Sequence, residues 1–170
     1  MTSSRTLTAR VAALTLAAAL ATGLTGCSIL NTLTGTVTRD ATGAATEGNG
    51  NADVFTIKVG DCLNDATVQD EEVDHLPLVP CDQPHDTEVV ASVLLDDGDF
   101  PGDDAVTAAA EDKCLAAFEQ YVGISYDDSA LEYSYYSPTE GSWTSGDREI
   151  LCTVYDPNGK ITGSLKGAAA

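Results

Sequence analysis

Basic side chains are scarce in this sequence: eight Lys and Arg stand against 27 Asp and Glu over 170 residues, a formal net charge of −19. Without a basic stripe the chain cannot displace phosphate counterions, which excludes an electrostatic nucleic-acid binder. The same shortage excludes adsorption to anionic lipid through a polybasic patch. Histidine is limited to His75 and His85. No C-x-x-C pair occurs, and the cysteine spacings match no zinc pattern. There is no G-x-S-x-G elbow and no Ser–His–Asp signature to suggest a serine hydrolase. No apolar run reaches the roughly 20 residues that a membrane-spanning helix needs. A hydrophobic content of 43 % is nonetheless enough for one ordered domain, and no internal repeat divides it.

The N-terminal residues carry an address. Arg5 and Arg10 precede an uncharged Ala/Leu/Thr run from Val11 to Thr25, the layout of a secretory signal. Leu24-Thr25-Gly26-Cys27 closes it and resembles the bacterial lipobox, whose Cys receives a diacylglyceryl group and becomes the new N-terminus. Small residues suit the peptidase subsite, and the thiol is what the thioether requires. With no twin-Arg pair, the general secretory route is expected. Residues 1–26 therefore read as a signal peptide, and Cys27 as the anchor of a lipoprotein on the extracytoplasmic face of a cell membrane. Several acyl chains, palmitate among them, hold far more strongly than one.

Ser28 to Asp53 is rich in Thr, Gly, Asn and Ala and has no aromatic residue, so residues 27–53 read as a lipidated Cys and a flexible tether. The composition changes at Val54. Phe55, Ile57 and Val59 alternate with polar residues, predicting a first strand that ends at Gly60-Asp61. Leu63 to Asp74, with His75 beside it, reads as an acidic loop with one short strand, and Leu78 to Cys81 as a short apolar piece. Thr87 to Leu95 predicts a central strand with Val89, Ala91, Val93 and Leu95 on one face. After an Asp-rich loop, Asp103 or Asp104 can cap a helix that runs to Val122 and stops at Gly123. Val106, Ala110, Cys114, Phe118 and Tyr121 form its apolar stripe. Tyr133 to Tyr136 and Glu149 to Tyr155 read as strands. The turn at Asp156 to Gly159 predicts a terminal hairpin into Ile161 to Leu165. The fold class expected is α+β, one main helix on a mainly antiparallel sheet, over residues 54–167 with a tail at 168–170.

Beyond Cys27, the chain holds Cys62, Cys81, Cys114 and Cys152. Four cysteines outside the cytoplasm imply two disulfides, and three pairings are available. Cys62 ends the first predicted strand and Cys81 precedes the next. Cys114 points inward from the helix, and Cys152 lies on an alternating strand. These positions favour Cys62–Cys81 and Cys114–Cys152.

Several short pieces then combine into one pattern: Val59-Gly60-Asp61-Cys62, Val79-Pro80-Cys81, Pro84-His85 and Glu88-Val89. Cys114, Phe118 and Tyr121-Val122-Gly123 follow, then Pro138, Trp143, Gly146-Asp147-Arg148, Cys152 and Thr162-Gly163-Ser164-Leu165. The pattern resembles the septum-formation domain of actinobacterial envelope proteins over roughly residues 59–167. The resemblance implies a link to division septa and brings no catalytic residues. Many relatives look like modules tethered by a spanning helix, where this chain has the lipobox.

His85 and Glu88, with Pro84 and Asp86, form the sharpest polar cluster, able in principle to bind a metal or act as a base; a hydrogen-bonded brace is the plainer role. Asp96, Asp97, Asp99, Asp103 and Asp104 offer oxygen ligands of the kind Ca²⁺ takes. The EF-hand spacing fails, because Pro101 and Ala108 fall at the fifth and twelfth positions counted from Asp97. Tyr133, Tyr135, Tyr136 and Trp143 offer ring faces to a wall glycan. Arg148 is expected to pair with a neighbouring acid. The function expected is a non-enzymatic interaction or scaffold module of the envelope, without a cofactor or metal, whose partners are the membrane and envelope or division proteins. A wall-facing glycan hydrolase and an acidic Ca²⁺-binding module are the alternatives. Cys27→Ser is expected to abolish incorporation of labelled palmitate in cells; label retained by this variant would refute the lipobox reading.

Overall fold

The computed structural model describes residues 37–41, 43–68 and 72–170, so the signal segment and Cys27 lie outside the described residues. One antiparallel sheet of six strands carries one long helix. In chain order the elements are β1 (Asn49–Asp53), β2 (Cys62–Leu63), β3 (His75–Val79), β4 (Thr87–Leu94), α1 (Asp103–Val122), β5 (Glu132–Tyr136), α2 (Glu140–Thr144) and β6 (Glu149–Tyr155). The strand order is β1-β3-β2-β4-β6-β5, which makes the domain α+β and places β4 at the centre. Among the described residues no helix is long and apolar enough to cross a membrane.

Two cores form because both faces of the sheet are apolar. On one face α1 packs Ala110, Cys114, Phe118 and Val122 against Val90, Ile150, Cys152 and Val154, and Val106 is buried as well. Burying Phe118 alone is worth about 1.5–3 kcal/mol relative to exposure. Tyr121, predicted for this stripe, is half-buried and turns its hydroxyl aside to Glu88. On the opposite face Leu63, Leu76, Leu78, Val89 and Leu151 pack with Ala52 and Ile57. A bulge between Val89 and Ala91 assigns β4 to both cores. One inserted residue reverses side-chain parity, so Val89 faces the second core while Ala91, Val93 and Leu95 face α1. The single face predicted for all four is thus corrected.

The start of the domain also differs from the prediction. Val54–Thr56 is a 3₁₀ turn, capped by the Asp53 carboxylate accepting from the Phe55 amide, and no strand runs to Gly60. The strand lies earlier: Asn49–Asp53, read as tether, pairs with β3 at the sheet edge. Its register slips between Asn49 and Ala52, opposite Pro77, where a ring without an N–H has no ladder bond to lose. His75, expected in a loop, opens β3.

Two further corrections concern α1 and the C-terminus. The residue preceding α1 is Gly102, with no side-chain cap; Asp103 and Asp104 sit in the first turn, where the helix dipole favours acids. At the other end Gly123 takes φ of 88°, a left-handed conformation that suits a residue without Cβ, and its amide closes onto the Glu119 carbonyl. Residues 161–169 form no hairpin strand. Ile161 makes an isolated bridge with His85, and the segment then runs as a strap, with the Gly167 and Ala169 amides donating to the Tyr121 and Val122 carbonyls.

Cys62–Cys81 joins β2 to the end of β3, and Cys114–Cys152 joins α1 to β6. Their sequence separations of 19 and 38 correspond to about 3 and 4 kcal/mol of chain-entropy stabilisation. Both Cys114 and Cys152 are fully buried, so unpaired replacements there also leave packing defects. Cys114→Ala/Cys152→Ala is therefore expected to lower the thermal midpoint further than Cys62→Ala/Cys81→Ala. Melting curves of the two double variants check the order, and the reverse order contradicts this account.

Candidate functional site

His85 and Glu88 sit at the start of β4 and just before it, where the strand meets the C-terminal strap. His85 is fully buried, and its Nδ1 donates to the Gln83 carbonyl at 2.7 Å. Its Nε2 has no hydrogen-bond partner among the described residues. Glu88 is 1 % exposed and faces α1. The Tyr121 hydroxyl donates to its Oε1 at 2.8 Å, and the Leu165 amide donates to its Oε2 at 2.7 Å. The carboxylate therefore ties β4, α1 and the strap together. Glu88 also lies within 4.8 Å of the Cys62 and Cys81 sulfurs, but those sulfurs are bonded to one another and are not free ligands. Burial raises the Tyr121 pKa to about 12; the Ser164 hydrogen bond opposes that shift and Glu88 adds to it.

A second polar centre was not read from the sequence. Asp61, 1 % exposed, accepts from the Lys58 amide at 2.8 Å and from both terminal nitrogens of Arg39, each at 2.6 Å. Arg39 also donates to the carbonyls of Thr56 and Gly43. The Asp61 hydrogen bond is the main cause of the raised Arg39 pKa. Removing one member of such a buried pair leaves the other charge uncompensated, at a cost of about 3–5 kcal/mol. The available signal was Arg39's isolation: it is the only basic residue between Cys27 and Lys58.

The remaining candidates separate. Arg148 stacks over Trp143 at 3.7 Å from the ring centroid and donates to the carbonyls of Trp143 and Asp147. Its nearest carboxylate is that of Asp97 at 3.7 Å, so the neighbouring acids are not its partners. Trp143 is buried, with its indole N–H on the Gly98 carbonyl at 2.9 Å, and presents no platform. The acidic loop brings no three carboxylates within ligand-sharing distance among the described residues. Tyr133 packs against Phe118 and Tyr126 on the α1 side. Tyr136 faces the other way, opposite Leu151. Its hydroxyl donates to Asp65 at 2.6 Å, and burial is the first cause of its raised pKa.

Two clefts meet at Tyr136. One, of about 570 Å³, lies between Thr87, Thr153, Tyr155 and the turn before Lys160. The other, of about 730 Å³, extends past Pro138 and Leu151 to Phe55. Val68, Tyr135 and Tyr136 line both.

With this geometry in place, comparison of the chain with known families shows that the septum-formation model matches residues 34–169. The chain belongs to the septum-formation family. No curated protein and no solved structure matches it. The septum-formation region begins upstream of Arg39, which agrees with the docking of that residue on Asp61. It ends at residue 169 and so takes in the strap.

The Tyr121–Glu88 contact in this septum-formation domain has a measurable pH signature. A phenol whose pKa is raised in the folded state contributes stability that is complete below the unfolded value of about 10 and is lost as pH rises to about 12. Burial shifts Tyr136 in the same direction, so the alkaline loss is shared. Tyr121→Phe is expected to reduce stability at neutral pH, since a buried carboxylate oxygen loses its donor, and to flatten the alkaline slope. Urea midpoints from pH 8 to 12 measure both; an unchanged slope contradicts the assignment.

Proposed function

We propose that this septum-formation protein is a lipid-anchored, extracytoplasmic module that recognises an envelope component at division sites and catalyses no reaction. The observation that carries this reading is the burial of the polar cluster: His85, the candidate base, is fully buried, and the Glu88 carboxylate is committed to two structural donors at 2.8 and 2.7 Å. A general base needs a free lone pair aimed at substrate, and this carboxylate is turned into the join between sheet, helix and strap. Two disulfides suit an oxidising compartment, which agrees with the secretory signal read at residues 1–26. The lipobox supplies the anchor, and Val37 and Arg39 already pack on the domain. Only 12 residues, Ser28 to Arg39, lead from Cys27 to the docked guanidinium. Fully extended, they span at most about 42 Å, which keeps the domain close to the bilayer that holds it.

Deleting the gene and restoring either the native chain or Cys27→Ser tests both parts of the reading. Misplaced or delayed septa are expected on deletion, with rescue by the native chain and weak rescue by the unanchored variant. Normal septa in the deletion strain would sink the septal role. Full rescue by Cys27→Ser would sink the need for the anchor. Fragments released from purified peptidoglycan by the protein would replace the module with an enzyme.

A further inference from the structure

We propose that the cleft below Tyr136 binds a saccharide chain, a proposal that rests on the module reading above and names its ligand class. At about 570 Å³ the cleft falls within the size range of small-molecule sites. It opens on the face of the sheet that α1 leaves uncovered. Tyr136 on β5 and Tyr155 on β6 line it, and Pro157 adds apolar surface from the following turn.

Its polar groups are already ordered. The Asp65 carboxylate accepts from the Tyr136 hydroxyl at 2.6 Å and from the Thr87 hydroxyl at 3.0 and 3.1 Å. Lys160 donates to Asp86 at 2.6 Å and also to Asn64. Asp156 accepts from the backbone and side-chain amides of Asn158. Two consequences follow. The Tyr136 ring is fixed before any ligand arrives, so little rotamer freedom is lost on binding. Each carboxylate in the lining is also held in place, Asp86 by the Lys160 ammonium and Asp65 and Asp156 by neutral donors, so all three stand as oriented acceptors.

The groups that remain are carboxylate lone pairs, the Ser134 hydroxyl and the third N–H of Lys160, a mixture of acceptors and donors. Neutral sugars match such a mixture, because each hydroxyl both donates and accepts while the ring face packs on an aromatic side chain. The adjoining cleft of about 730 Å³ continues beyond Tyr136, which suits a chain of sugars better than a single one.

Isothermal titration of the purified full-length protein in detergent with a soluble β-linked N-acetylglucosamine tetramer tests the proposal. Saturable heat is expected. Tyr155→Ala should weaken binding about tenfold, the scale of one lost aromatic face, and Lys160→Ala, at an exposed position, should weaken it about threefold. Tyr133→Phe, on the α1 face, should leave it unchanged. Melting curves identify a variant that has lost its fold, and Lys160→Ala then stands as the reporter. No saturable heat, an affinity unmoved by both Tyr155→Ala and Lys160→Ala, or binding of a lysine-rich peptide in place of the tetramer overturns the proposal. Absence of saccharide binding together with a septal defect on deletion removes the ligand and leaves the proposed function. Saccharide binding together with normal septa supports the cleft and removes the septal role.

Discussion

A carboxylate taken out of water needs a cation or several N–H donors, and Asp61 takes both. Its side chain closes the turn on the Lys58 amide and receives the Arg39 fork. Its backbone carbonyl accepts from Val89, and the neighbouring Gly60 amide donates back to the Val89 carbonyl. The next residue is Cys62, which opens β2 and carries the first disulfide. Entry into the sheet, the register of β2 against the start of β4 and the docking of the N-terminal segment all depend on this one corner. In a chain so rich in acids, a single well-placed arginine does what many surface lysines could not, because a planar fork meets a carboxylate through two parallel bonds.

The elements legible from the sequence are those whose pattern is local and long. The helix declared itself through a stripe of spacing four and a terminal Gly123, and β6 through the alternation of Ile150, Cys152 and Val154. The cysteine pairing followed, because helix and strand positions put Cys114 and Cys152 inward on facing elements. Short segments were misread where a nonlocal contact decides. Phe55, Ile57 and Val59 alternate like a strand, yet the sheet edge beside β3 is already held by Asn49–Asp53. Those five residues carry little strand propensity, and pairing rather than composition places them. The bulge in β4 left no mark in the apolar pattern, since Val89, Val90 and Ala91 satisfy either parity.

The candidate site was legible in part. His85 and Glu88 stood out as a polar cluster just after Cys81, and the structure buries both. Their partners could not be read, because the Leu165 amide lies 77 residues away from Glu88. The tyrosines were noticed as a group, but the pleat divides them: Tyr133 and Tyr135 pack against the α1 core, while Tyr136 packs against the other. The residue that fixes Tyr136 is Asp65, 71 positions earlier in a loop read only as acidic.

The strap has a consequence for the order in which the fold can close. A chain emerges N-terminus first from a ribosome or an export channel, so β4 is available long before β6, its neighbour in the sheet. Ser92 and Glu149 bond across 57 residues, and Glu88 waits 77 residues for Leu165. Until then the central strand has one open edge and the Glu88 carboxylate lacks one of its donors. Contacts of such long sequence separation close loops at an entropic cost before they return any stability, which makes folding slow relative to a helical bundle of the same size. Completion is thus tied to release of residues 149–169, and a nascent chain stalled before them presents an unpaired sheet edge to whatever chaperone or neighbour is present.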